Sequence, residues 1–258
     1  MTLPQPSRPE SAEKPIPRRW GLISLIALLA LALAPCIVLT VKARAHTWVH
    51  FFWGAGTWGI AVAIKRTLAR WLNRALDQKA GQIFHAASQG LLSSLLELGV
   101  AALYLWRLDS ADLFTVLAFG AGAGSAEVVY VLAAGSLAKP DPQKEVAWAR
   151  NAWNSFCVRY QVPIERLFAV IGHIGSRGLV YVGLHGSAAE AILWLSVALL
   201  FFTAVDGVAT YGHVRNWDWS EPATCRRAHG FFAVISISEL LLFLGAFAGR
   251  AARLRFGL

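Results

Sequence analysis

The amino-acid sequence predicts an all-α membrane protein, a polytopic bundle of about seven transmembrane helices plus one interfacial amphipathic helix. Of its 258 residues, 56% are hydrophobic and 15% are charged, and the mean hydropathy is +0.50. This composition is too apolar for a soluble domain of that size. Several uninterrupted apolar runs reach about 20 residues, the length that a helix needs to cross a hydrocarbon core of about 30 Å.

The first apolar run sets the domain boundary. Residues 1–19 are rich in Pro, Ser, Arg and Lys and lack apolar periodicity, so we expect a disordered cytoplasmic tail there. The run from Trp20 to Val41 is longer than the apolar core of a signal peptide, which predicts a retained first helix. Residues 20–258 are then expected to form a single transmembrane helical domain.

Hydropathy gives seven spans in order along the chain. They cover about Trp20 to Val41, Thr47 to Ile64, Ala87 to Trp106, Leu113 to Leu137, Ile164 to Leu184, Ala189 to Tyr211 and Gly230 to Gly249. Between the second and third spans, in residues 65–79, Trp71, Leu72 and Leu76 alternate with basic residues. This alternation predicts an amphipathic helix that lies along the lipid headgroups.

The distribution of Lys and Arg predicts the orientation. With the N-terminus inside, 17 of these residues lie on the cytoplasmic side and 6 on the other side. The positive-inside rule then places the protein in the inner (plasma) membrane of the cell as a multi-pass protein with a cytoplasmic N-terminus. The net charge of +9 would suggest nucleic acid in a soluble protein. Because these charges orient helices here, we expect membrane lipid as a partner and no nucleic acid.

The three cysteines, Cys36, Cys157 and Cys225, are widely spaced along the chain. Their odd number leaves no complete disulfide framework, and no two are close enough in sequence for a zinc-type pair. We therefore expect free thiols.

Ionisable residues within the spans mark the candidate functional site, because a charge near the bilayer centre costs about 2.5 to 3.5 kcal/mol. Five residues meet this criterion best and one more meets it weakly: Glu97, Glu127, His173, Arg177 and Asp206, followed by Glu239. His173 and Arg177 are four residues apart and so share one helix face. The small residues 120–126, which precede Glu127, allow another helix or an extended substrate to approach the backbone.

Two interpretations of Glu127 remain open at this point. It pairs with an arginine, as intramembrane charges tend to do, or it acts as a general base toward water. Glu127, His173 and Asp206 also supply three donors of the kind that zinc accepts. That is only a count, so the metal and cofactor content stays unknown.

Four motifs occur in a characteristic order between about residue 50 and residue 213. They are Gly54-Ala55-Gly56-Thr57-Trp58 with Lys65 and Asn73, then Gly122-Ala123-Gly124-Ser125-Ala126-Glu127, then Glu165-Arg166 leading to His173, and finally the segment around Asp206. This order resembles the YhfC family of membrane peptidases. That family is similar to the CAAX-type prenyl endopeptidases and related bacterial intramembrane proteases.

The resemblance implies an intramembrane endopeptidase that cleaves a membrane-embedded peptide or protein. Glu127 matches the glutamate that activates water, His173 the first histidine, and Asp206 the acidic residue. Phe202 stands where the family has a second histidine, and phenylalanine neither ligates a metal nor donates a hydrogen bond to an oxyanion. Thr203, Thr210 and Arg177 are then candidates for the oxyanion role.

Because of Phe202, the expected function is an endopeptidase that has degenerated to an unknown extent. The alternative is a non-catalytic membrane scaffold or partner-binding protein, in which Glu127 and Arg177 form a buried ion pair. A transporter is a third class, since glycine runs near intramembrane charges can supply discontinuous helices.

Overall fold

The structure, a computed structural model, describes residues 18–42, 46–76, 81–137 and 141–256. Helices make up 89% of these residues and no strand occurs among them, which confirms the all-α class. The helices are α1 (Arg18–Lys42), α2 (Thr47–Leu76), α3 (Gln82–Leu105), α4 (Leu113–Leu137), α5 (Pro142–Ala152), α6 (Phe156–Arg159), α7 (Gln161–Leu184), α8 (Ala188–Val214) and α9 (Pro222–Phe256). Residues 1–17 of the predicted tail lie outside the described residues.

Six of the described helices are long and apolar enough to cross a membrane, namely α1, α3, α4, α7, α8 and α9. The chain is therefore a multi-pass membrane protein by length and composition. The second predicted span forms the first part of α2, where Trp, His, Thr and Gly lower the hydropathy. This helix packs against both α3 and α4.

The structure differs from the sequence prediction at residues 65–76. We expected a separate interfacial helix there, but these residues continue α2 without a break, and residues 77–79 lie outside the described part. Neither Gly nor Pro occurs between Ile64 and Leu76 to end the helix. Moreover, the Lys65 ammonium turns into the bundle and contacts Glu97 rather than lying among headgroups.

Successive long helices run in opposite directions, so the bundle has two ends. We call the end where α1, α3, α7 and α9 begin the proximal end, and the opposite end the distal end. Arg215 at the end of α8 donates to Gln82 at the start of α3, at the proximal end, while Arg253 and Glu190 form an ion pair at the distal end. The helices α5 and α6 connect α4 to α7 at the proximal end.

The small-residue run of α4 is used for packing on two sides. A Cβ added at Gly122 would lie 1.8 Å from the carbonyl oxygen of Phe51 in α2, and one added at Gly120 would lie 2.6 Å from the Cα of Ile174 in α7. Backbones at this separation leave no space for a side chain. The run therefore accommodates α2 and α7, and the extended substrate that the sequence allowed there has no room.

Candidate functional site

The proximal half of the bundle contains a cavity of about 330 Å³. Its walls come from α2, α3, α4, α7, α8 and α9 and combine two kinds of side chain. The aromatic residues are Trp58, Tyr130, Phe168, Phe202 and Phe232, and the ionisable residues are Lys65, Arg66, Glu97, Glu127, Glu165, Arg166, His173, Asp206 and Glu239. A volume of this size lies at the lower end of the range of ligand-binding pockets.

The Glu127 carboxylate is held on both of its oxygens. Its Oε2 lies 2.5 Å from Nε2 of His173, and its Oε1 forms an ion pair with Arg166. Both partners belong to α7, which crosses α4 closely because Gly124 leaves its backbone open to Val170. The Glu127 side chain is still 23% exposed toward the cavity, whereas that of His173 is 4% exposed.

The hydrogen-bond partners of His173 define its protonation. Its Nδ1 lies 2.6 Å from Nη1 of Arg177. A guanidinium group carries only donors, so Nδ1 accepts this bond and the ring proton sits on Nε2. His173 is therefore neutral and donates to Glu127. Arg177, which is fully buried, acts on Glu127 through the imidazole and does not line the cavity.

The contacts continue from Arg177 to the far wall of the cavity. Nη2 of Arg177 lies 3.4 Å from Oε2 of Glu97, whose Oε1 accepts a 2.8 Å bond from Nζ of Lys65. The same ammonium lies 3.8 Å from Oδ2 of Asp206 and donates to the Ser93 hydroxyl, which donates to Asp206. A chain of polar contacts thus joins the α7 arginines to α8 by way of α3 and α2.

Two buried polar atoms at this site have no hydrogen-bond partner within the described residues, Nε of Arg177 and Oε1 of Glu239. The Glu239 side chain is 1% exposed, yet the residue borders the cavity. Native interiors pair nearly all such atoms, so each exception calls for an explanation such as a catalytic role or a bound water molecule. One carboxyl oxygen of Glu239 therefore lies beside the cavity without a hydrogen bond.

All six intramembrane residues singled out by the sequence belong to this one region. Glu97, Glu127, His173, Asp206 and Glu239 border the cavity, and Arg177 lies directly behind His173. Ionisable residues at membrane depth almost always face the interior of a bundle or a polar cavity, which accounts for this grouping.

The predicted pairing was wrong in one respect. The buried Glu127–Arg177 pair is not formed, because Arg166 is closer to Glu127 and Arg177 reaches Glu97 instead. The sequence prediction included Arg166 only within a motif and not as a partner of Glu127. Arg166 lies seven residues before His173 and so on the same helix face. Lys65 was assigned to the headgroup region, since nothing local to it indicates a partner 32 residues away.

The zinc count made from Glu127, His173 and Asp206 does not correspond to a shared ligand position. Both ring nitrogens of His173 are engaged by Glu127 and Arg177, which leaves no lone pair for a metal in this arrangement. Asp206 contacts Ser93 and Lys65 on the far wall. Across the described ranges, the group with converging metal-type donors is a different one, formed by Cys157, Cys225 and His229.

Comparisons with known proteins were made at the level of families, sequences and folds. No family model, no curated protein and no solved structure matches the chain. The resemblance to the YhfC family accordingly stays a prediction, and the functional argument depends on the geometry of the cavity.

Proposed function

We propose that the protein is an intramembrane endopeptidase of the YhfC type, with Glu127 as the general base. The observation that carries the proposal is the Glu127 carboxylate, fixed by His173 and Arg166 and exposed to a cavity at membrane depth. Hydrolysis within a membrane requires a water molecule and a peptide bond to meet away from lipid. A cavity with aromatic and charged walls supplies a place for both.

Glu127 retains the capacity to act on water. A carboxylate has about four lone-pair directions, of which the bonds to His173 and Arg166 use two. In the proposed reaction Glu127 takes a proton from water while the water oxygen bonds to the peptide carbonyl carbon. It then returns that proton to the amide nitrogen as the C–N bond breaks, which yields a carboxylic acid and an amine. The N–H of His173 holds the carboxylate in place during both steps.

Arg166 is the best-placed residue to stabilise the oxyanion. Phe202 borders the cavity but has no donor, and Arg177 is shielded behind His173. Arg166 borders the cavity, and its contacts with Glu127 and Glu165 leave other N–H groups of the guanidinium available. We assign it the donor role that the family resemblance gives to a second histidine, and Arg177 the role of a positioning residue.

The walls indicate the class of substrate. The aromatic side chains favour apolar residues around the cleaved bond, and the cationic groups Lys65, Arg66 and Arg166 favour a carbonyl or carboxylate. A membrane-embedded or membrane-proximal peptide combines these features. With the proposed cytoplasmic N-terminus in the inner membrane, the cavity lies in the cytoplasmic half of the bundle.

The test measures the rate at which purified wild type and Glu127→Gln, in detergent, cleave a fluorogenic peptide with an apolar transmembrane segment. Gln keeps the shape and still accepts hydrogen bonds, but it cannot take a proton, so we expect the rate to fall about 100-fold or more. Glu190→Gln, at the distal end and outside the cavity, is the matched control and should cleave at the wild-type rate. Size-exclusion profiles check that all three proteins are folded. Equal rates for wild type and Glu127→Gln, including no cleavage by either, would contradict the proposal.

One observation favours a second candidate, a non-catalytic scaffold. The ionisable side chains around the cavity form ion pairs of opposite charge that join five helices, α2, α3, α4, α7 and α8. Such an arrangement also holds a bundle together without chemistry. Under this candidate the wild-type protein cleaves nothing, and Glu127→Gln changes the unfolding temperature alone.

A further inference from the structure

A second polar cluster lies at the proximal end, apart from the cavity. Sγ of Cys157 is 2.7 Å from Sγ of Cys225 and 3.1 Å from Nδ1 of His229, and the Cys225 sulfur is 3.8 Å from the same nitrogen. All three cysteines are free thiols, as expected, but two of them lie close together, which the sequence analysis did not predict. Because Cys157 and Cys225 are 68 residues apart in the chain, their separation in sequence gives no sign that they lie close together.

Local structure fixes the three donors independently of one another. Cys225 and His229 are four residues apart on α9 and project from one helix face. Cys157 lies in α6, where the backbone is held by a 2.9 Å bond from the Trp148 indole to the carbonyl of Val158. Arg159 in addition donates to the carbonyls of Ala152 and Trp153. The donors are thus brought together by two elements that are each already ordered.

The donor set is typical of a site for a soft or borderline metal ion. Two cysteine sulfurs and one imidazole nitrogen are ligands preferred by zinc(II) and copper(I). Bonds of about 2.3 Å to sulfur and about 2.0 Å to nitrogen place donors around a shared ion between about 3 and 4 Å apart. The two sulfur–nitrogen distances, 3.1 and 3.8 Å, already fall in this range. The sulfur–sulfur distance of 2.7 Å lies below this range, so metal binding requires a rotation about a cysteine Cα–Cβ bond that moves the two sulfurs apart.

We propose that Cys157, Cys225 and His229 bind one thiophilic d10 metal ion, Zn²⁺ or Cu⁺. Binding converts the two thiols to thiolates and releases two protons to solvent. The ion bonds to three protein atoms, and for Zn²⁺ a water molecule or another ligand completes four-fold coordination. By linking α6 to α9, it fixes the α5–α6 connection against the bundle.

The obvious competitor is a disulfide between the same two sulfurs. A disulfide makes no use of an imidazole, yet Nδ1 of His229 lies within 4 Å of both sulfurs. The cluster also lies on the side of the membrane that carries most basic residues, for which we propose a cytoplasmic location. Thiols in the cytosol are kept reduced, so metal binding is favoured there. Trp20, Trp148 and Trp153 pack around the cluster and limit the access of water.

The test uses the full-length protein, purified in detergent under reducing, oxygen-free conditions. It is loaded with Zn²⁺ or with Cu⁺, passed through a desalting column and analysed for metal. We expect about one ion per chain for wild type and less than about a tenth of that for Cys225→Ser. Cys36→Ser is the matched control, because Cys36 lies on α1 and packs against a different cluster, around Phe51 and Ala118.

A second measurement keeps the proposal falsifiable if Cys225→Ser does not fold. Co²⁺ added to the wild-type protein should give a sulfur-to-cobalt charge-transfer band, which His229→Gln weakens and Cys36→Ser leaves unchanged. The absence of that band from wild type would overturn the proposal, as would equal metal content in Cys225→Ser and wild type. A Cys157–Cys225 disulfide found by mass spectrometry in protein isolated from cell membranes, with free thiols blocked at lysis, would overturn it too. None of these outcomes depends on peptidase activity.

Discussion

The distal and proximal halves of the bundle are built from the same helices but packed in opposite ways. In the distal half, Phe119, Leu179, Tyr181 and Phe243 are buried and fill the space between helices. In the proximal half, the same α4, α7 and α9 face a cavity bordered by charged side chains. The helix α7 shows the change most directly. A Cβ at Gly178 would lie 2.3 Å from the Phe243 ring, whereas one at Gly172 would meet the Ser236 hydroxyl at 3.0 Å.

The difference teaches where this protein obtains its stability. Helices in lipid gain little from the hydrophobic effect among themselves, so close packing of small residues and aromatic rings holds them together. The distal half provides most of the aromatic packing, while close glycine contacts such as that of Gly124 with Val170 also join the helices in the proximal half. The proximal half is consequently free to keep a cavity and costly charges, provided that each charge has a partner.

The largest expected effect comes from breaking the charge pairing at Glu97. Glu97→Gln leaves Arg177, which is fully buried, without its acidic partner, and it leaves Lys65 with Asp206 alone. Removing one member of a buried pair typically costs about 3 to 5 kcal/mol. We therefore expect a loss of that order in the free energy of unfolding, measured by denaturant titration in mixed micelles.

The double variant Glu97→Gln with Arg177→Met is the control for this prediction. It removes the uncompensated guanidinium, so we expect it to be more stable than Glu97→Gln alone. If the losses in the free energy of unfolding from the two single substitutions simply add, then Glu97 and Arg177 are not coupled. Ion pairing would then not be what stabilises the charges of the proximal half.

A smaller effect is expected from filling the α2–α4 contact. Gly122→Ala forces its methyl group against the Phe51 carbonyl, and overpacking of this kind costs about 1 to 3 kcal/mol. Gly99→Ala is the matched control, because an added Cβ there meets nothing within 4 Å. Replacing a helical glycine in open space should stabilise by about 0.5 to 1 kcal/mol. Unfolding temperatures of equal value for the two variants would show that the α4 glycines are not needed for close packing.

The sequence predicted one level of this organisation well. The apolar runs identified the helices, because a span must satisfy its own backbone whatever it packs against. The intramembrane charges predicted which residues gather around the cavity, because ionisable groups at that depth face the interior of a bundle. Both signals are local to a residue or to a single helix.

The contacts between ionisable side chains could not be predicted from the sequence, because they depend on how the helices are aligned against one another. Whether Glu127 meets Arg166 or Arg177 is decided by the crossing of α4 and α7 at Gly124, and both arginines are on the correct face of α7. Lys65 reaches Glu97 only because α2 continues past the expected end of its span. The partner of Cys157 lies on α9, although the spacing of Cys225 and His229 was a signal that could have been noticed.

The smallest effect is expected from an ion pair at the distal end, the one between Glu190 and Arg253. Both side chains are partly exposed, and such pairs are worth between about 0 and 1 kcal/mol. Glu190 also closes the N-terminal capping box of α8 with Ser187, a role that Gln fills equally well. Glu190→Gln therefore tests the charge alone and should lower the free energy of unfolding by less than about 1 kcal/mol. The difference from wild type should shrink as salt is raised, since ions screen an exposed pair. A loss as large as that of Glu97→Gln would show that charge pairing stabilises the distal half as much as the proximal half, and the contrast between them would fail.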